Sequence, residues 1–219
     1  MRPSTLSVIF LLALASAVSA QEIHGIPLKP DPPIAVDGAL GEWSAVVNAL
    51  NIDQPAQAVF GAGAWRGPTD LSGTIHLAWR EEHLFIAAEV KDDAIAQLQR
   101  GAGLWQGDPV ELYLDVTPDA DSVRAEFGAG QFQIALSPGN FGTTGDPLAD
   151  TGPEIFSYKP RTLDLSGALV ASSQTADGWI LEAAIPWSAL GVTPAEGLAL
   201  NVEIGLSDIL VEILVGRRA

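Results

Sequence analysis

Apolar and polar residues alternate with a period of two in TIHLAWREEHLFIAAEV, Thr74 to Val90. No other feature of the chain restricts its backbone so strongly, because only an extended strand sends successive side chains to opposite faces. Ile75, Leu77 and Trp79 take one phase, and Thr74, His76 and Ala78 the other. After the polar turn Arg80–His83, Leu84, Ile86, Ala88 and Val90 resume the apolar phase. The stretch reads as a β-hairpin.

The same reading extends along the chain. GALVASSQ runs through the turn TADG into WILEAAI, a second hairpin whose Asp177-Gly178 step tolerates positive φ and whose outgoing strand buries Trp179, Leu181, Ala183 and Ile185. Further strands are expected at Val110–Val116, Gln131–Leu136 and Leu198–Leu206, with a weaker opening strand near Ile34–Val36. About eight strands suffice for two packed sheets. The fold class is all-β, an antiparallel β-sandwich with one short helix in PWSAL, started after Pro186 and stopped by Gly191.

Residues 1–20 carry Arg2, an apolar run over Val8–Leu14 and a small-residue end at Val18-Ser19-Ala20, the pattern of a secretory signal peptide. Export to the periplasm or the extracellular space is expected. Residues 21–33, including PLKPDPP, read as an extended Pro-rich lead-in, and residues 34–219 as the sandwich domain. No later stretch is long and apolar enough to span a bilayer, so membrane insertion is not expected. With 27 acidic against 11 basic residues the net charge is −16, which repels phosphate backbones; nucleic acid is not an expected partner. The absence of cysteine excludes thiolate zinc sites and cysteine nucleophiles.

Acidic loops favour hard cations. Asp92, Asp93, Asp119, Asp121, Asp146 and Asp150 are candidate oxygen ligands for calcium, and the adjacent Asp92 and Asp93 are the leading metal candidates. His24, His76 and His83 lack metal-ligand spacing, and the one methionine is Met1, which disfavours axial haem ligation; no organic cofactor is expected.

The stretch GLWQGDPVELYLDV, Gly103 to Val116, concentrates the binding chemistry. Val110, Leu112, Leu114 and Val116 point inward, so Glu111, Tyr113 and Asp115 share the opposite face, beside a glycine-flanked Trp105. An indole stacks on the C–H face of a sugar ring, and a carboxylate accepts hydrogen bonds from its hydroxyls. Trp65, in the glycine-flanked GAWRGPTD, is a second candidate ring. The other four of the six tryptophans have structural places at Trp43, Trp79, Trp179 and Trp187. Glu111 and Asp115 stand about 13 Å apart along a strand at roughly 3.3 Å per residue. A glycosidase pair needs about 5 to 9.5 Å, so these two cannot act together and the chain is not expected to be an enzyme.

IAVDGALGEWS, HLAWREEHLFIAAEVKDD, LWQGDPVELYLDV, QFQIAL and GWILEAAIPWSALG, in that order over Ile34 to Ser207, resemble family 9 carbohydrate-binding modules. The resemblance implies a sandwich related to the DOMON-type folds, bound calcium (Ca2+), recognition of β-glucan or xylan oligosaccharides or chain ends, and association with glycoside hydrolases in polysaccharide breakdown or uptake. It also implies that Trp105 is one side of an aromatic clamp and Glu111 its hydrogen-bonding partner, with Gln133 or Gln131 contributing from the next strand. The end of the chain departs from the pattern. SDILVEILVGRRA lacks alternation, so the closing strand and the second clamp ring are expected to be missing. Two other classes share the shape: a haem-binding or electron-transfer sandwich, and a protein-interaction module of the cell envelope.

Overall fold

The computed structural model describes residues 25–28, 33–118, 126–142, 151–208 and, for the backbone alone, 211–216. The leader, most of the lead-in, His24, Asp119, Asp121, Asp146 and Asp150 lie outside the described residues.

Two antiparallel sheets form the body. The first has the order β1 (Leu50–Ile52), β3 (Leu71–Trp79), β4 (His83–Asp92), β9 (Gly178–Pro186), β8 (Leu169–Gln174). The second has the order β2 (Ala58–Phe60), β11 (Val211–Gly216), β10 (Asn201–Asp208), β5 (Val110–Asp115), β6 (Gln131–Ser137), β7 (Glu154–Lys159). Both expected hairpins form: Leu77 opposes Ile86 across β3 and β4, and Ser172 opposes Leu181 across β8 and β9. Helix α1 (Trp187–Leu190) stops at Gly191 in the left-handed conformation, as PWSALG predicts.

Alternation decides which side chains fill the space between the sheets. Ile75, Leu77, Leu84, Ile86, Trp179, Leu181 and Ile185 of the first sheet meet Val110, Leu112, Leu114, Ile134, Leu136, Ile204 and Leu206 of the second. Gly178 is required where its turn closes, since an added Cβ would meet the Val90 carbonyl oxygen at 2.0 Å.

The first sheet is buried on its outer face as well. Residues Ile34, Trp43 and Val46 cover Ala78, Phe85, Ala87 and Ala184. This roof is tied down by Glu182, which alternation sends outward but which is 0 % exposed. Its Oε2 accepts the backbone N–H groups of Asp37, Gly38 and Ala39 at 3.0, 2.7 and 3.1 Å, and its Oε1 accepts the Trp43 indole N–H at 2.6 Å.

Three expectations need correction. Ile34–Val36 is not a strand; it is part of the roof, held by side-chain packing rather than by a ladder. The run Val211–Gly216 does form the closing strand, β11, paired with β10 from Glu203 to Asp208 and with β2 on its other side. The edge position belongs to β2, and β1, β2 and β7 were not foreseen as strands.

Candidate functional site

Glu111, Tyr113 and Gln133 share the outer face of the second sheet. Register places Glu111 on β5 between Gly205 of β10 and Ala135 of β6, and Tyr113 between Glu203 and Gln133. Glu111 is only 5 % exposed, and its environment is made of donors. Tyr113 donates its phenolic proton to Glu111 Oε2 in a short bond, and Gln133 Nε2 donates to the same oxygen at 3.1 Å. Both donors fall on Oε2. Oε1 takes no hydrogen bond from the described residues and is the acceptor available to an incoming hydroxyl.

Gln133 rather than Gln131 serves this face. Gln131 is consumed by the turn before β6, where its Nε2 donates to Asp115 at 2.9 Å and its Oε1 accepts the Gly128 N–H at 2.9 Å. Asp115 also accepts the Thr117 N–H at 2.8 Å, so this carboxylate is a turn-stabilising group.

Trp105 stands beside the face on a 3-10 turn, Gly101–Gln106. Adjacent residues of that turn point to opposite environments: Leu104 is 1 % exposed, packed on Ala135, Tyr158 and Phe156, whereas Trp105 is 61 % exposed. Leu104 anchors the turn and Trp105 is displayed. The attachment is completed by Tyr158, whose hydroxyl accepts the Trp105 backbone N–H at 2.9 Å. Burial, together with the nearby charge of Glu111, raises the Tyr158 pKa, so the phenol stays protonated. Tyr158 therefore links the ring-bearing turn to the neighbourhood of Glu111.

Tyr158 owes its position to a bulge. Ser157 opposes Ile134 and Lys159 opposes Gln133, which leaves Tyr158 as the extra residue of β7. Bulges re-aim side chains in this way. Phe156 lies edge-on to Tyr158 at 5.2 Å between ring centroids. Neither aromatic was singled out in the sequence, although EIFSYK between Pro153 and Pro160 carries a β-branched and two aromatic residues, the signal of a strand.

The structure brings Trp105, Glu111, Tyr113 and Gln133 to one region. Trp65 is placed elsewhere. Its indole N–H donates to the Leu71 carbonyl at 2.8 Å and its ring packs on the core between the sheets. His76 and His83 both stand on the first sheet, His76 near Trp43 and His83 near Phe85.

Asp92 and Asp93 do not converge. Asp93 takes the Arg66 guanidinium at 2.9 Å, which also binds Asp70 at 2.6 Å. Asp92 turns inward, accepts the Ala94 N–H at 2.8 Å, and has its pKa raised by burial. Near it, Asp108 is 0 % exposed; its Oδ2 accepts the Ala96 N–H, while its Oδ1 has no partner among the described residues. Burial, with the Asp92 and Asp208 charges, pushes its pKa up to about 7. Among the described residues no three carboxylate, histidine or cysteine side chains gather into a metal-binding group. The orphaned Asp108 oxygen beside Asp92 fits a cation better than the Asp92–Asp93 pair does.

An exposed indole on its turn and a carboxylate held by two donors thus stand on the second sheet of an antiparallel sandwich. Residues 36–209 match the family described as carbohydrate family 9 binding domain-like, and the chain belongs to that family. Its fold is similar to a family 9 carbohydrate-binding module from Caldicellulosiruptor kristjanssonii in complex with cellotriose, at 17% identity and a TM-score of 0.59, covering 86% of this chain and 80% of that one. A structure from the same organism in complex with glucose gives a TM-score of 0.58 at 17% identity, covering 86% and 84%. In sequence the chain is 25% identical over 141 residues to endo-1,4-beta-xylanase A of Thermotoga maritima, across 63% of this chain and 11% of that enzyme's length.

Proposed function

We propose that this chain is an exported, non-catalytic carbohydrate-binding module for β-glucan or xylan oligosaccharides, or the ends of such chains. A pyranose stacks its C–H face on Trp105, and one hydroxyl donates to Glu111 Oε1 while Tyr113 and Gln133 hold the carboxylate in place. The observation that carries this reading is the pairing of a 61 % exposed indole with a nearly buried carboxylate whose two described donors sit on one oxygen. Relatives bound to cellotriose and glucose, and a xylanase relative, support the ligand class and a role beside glycoside hydrolases. The non-catalytic reading is supported by Asp115, whose oxygens are occupied by Thr117 and Gln131. Calcium, if bound, would be held by Asp92 and Asp108 and would neutralise buried charge there; its contribution is structural.

Titration calorimetry with cellotriose and xylotriose tests the reading. Wild-type protein should bind at least one of them, and Trp105→Ala should weaken that binding roughly ten- to hundred-fold, the loss of about 1–3 kcal/mol expected for a central aromatic contact. Far-ultraviolet circular dichroism should not change. Equal binding by wild type and Trp105→Ala refutes the site.

A further inference from the structure

Cations are scarce on this chain, and three of the six described sit on carboxylates. Arg66 pairs with Asp70 and Asp93, Lys91 with Asp177 at 3.2 Å, and Arg100 with Glu154 at 3.4 Å. Lys159 and Arg161 differ. Both are exposed, they flank Pro160 at the end of β7, and among the described residues neither has a carboxylate within ion-pairing distance. The chain has 27 acidic residues, yet these two cations lie on the strand that anchors the Trp105 turn.

Their connection to Trp105 is continuous. Trp105 bonds to Tyr158, Tyr158 packs against Phe156, and the Arg161 guanidinium lies 5.6 Å from the Phe156 ring centroid. The start of the Trp105 turn touches the same ring, since a Cβ on Gly101 would lie 3.7 Å from it. A guanidinium held over an aromatic ring stays charged and fork-shaped, and its N–H edge matches a carboxylate with two parallel hydrogen bonds. We infer that Arg161 on Phe156, with Lys159 beside it, is a second contact point that takes the carboxylate of a uronic acid carried by the bound glycan. This rests on the sugar-binding reading above and deepens it: the preferred ligands are acid-substituted oligosaccharides.

Two objections can be weighed. The net charge of −16 repels any anion, but at physiological salt that field is screened beyond about 8 Å, so adjacent charges decide. Glu154, on the same strand, is the nearest competing acid, and it is already held by Arg100 and by the Gly101 N–H at 3.2 Å. An acidic substituent on the Phe156 side thus meets two cations that no described carboxylate pairs with, and a carboxylate already held by Arg100.

The test compares three xylo-oligosaccharides of one length by titration calorimetry: unbranched, bearing one glucuronosyl branch, and bearing that branch as its methyl ester. Wild-type protein should bind the acid about three- to ten-fold more tightly than the other two, and raising salt should shrink the advantage. Arg161→Gln should erase the advantage and leave the unbranched affinity unchanged, and Lys159→Gln should reduce it. Equal affinity for acid and ester, or an advantage that survives Arg161→Gln, overturns the inference while leaving the sugar-binding reading intact. If wild-type protein binds none of the three, the inference is overturned, and the sugar-binding reading falls with it where cellotriose also fails to bind.

Discussion

Replacing Glu182 by alanine should destabilise the protein more than any change at the sugar-facing site. The carboxylate accepts four hydrogen bonds at 2.6 to 3.1 Å, and those from the Gly38 N–H and the Trp43 indole are buried. A hydrogen bond to a charged group contributes about 1.5–3 kcal/mol when one partner is deleted, but four donors sharing one acceptor do not add, because the roof can shift and admit water. About 3–5 kcal/mol is a reasonable total, in line with the loss of one partner from a buried charged contact. For a domain of this size each kcal/mol lowers Tm by about 2–4 °C, so a fall of about 10–15 °C is expected in calorimetry. Glu182→Gln keeps one acceptor but turns an NH2 group toward donors, and should fall between. Sugar binding at low temperature should persist, since the roof and the site are on different sheets. A loss below about 1 kcal/mol for Glu182→Ala would refute the account of how the roof is held.

Glu111→Gln should weaken oligosaccharide binding about ten-fold or more in titration, because the amide faces Tyr113 and Gln133 with a donor and loses the charge that strengthens bonds to hydroxyls. Tyr158→Phe should weaken binding a few-fold in wild type but add nothing in a Trp105→Ala background, since Tyr158 acts by fixing the ring-bearing turn; additive losses would exclude that role. In chelator, stability should fall as pH rises. Asp108 has a folded pKa of about 7 against an unfolded value near 4, so its contribution is complete below pH 4 and is lost as pH climbs through 7. Asp108→Asn should flatten that slope in denaturant titrations across pH 5–8, and added calcium should restore stability at pH 8 to the parent but not to Asp108→Asn.

Where apolar residues recur at every second position, the strands were legible in the sequence. Thr74–Val90 and Gly167–Ile185 are such cases, and both form the expected hairpins although a roof covers part of their outer face. The same rule placed Glu111 and Tyr113 on one face. It failed where both faces carry apolar or aromatic groups: β7 sends Ile155 and Phe156 to opposite sides, and a bulge then breaks its phase. It also failed for the roof, because Ile34–Val46 is held by one distant carboxylate. Nothing local distinguishes Glu182 in WILEAAI from a solvated strand residue. Trp65 and Trp105 have similar glycine-flanked settings, and only the destination of the indole N–H and the neighbouring Leu104 anchor separate them.

The roof makes the two broad sides of the sandwich unequal. Trp43 and its neighbours cover the outer face of the first sheet, so a glycan held at Trp105 and Glu111 would approach from the other side. A companion domain joined through the covered side would then stand clear of that glycan.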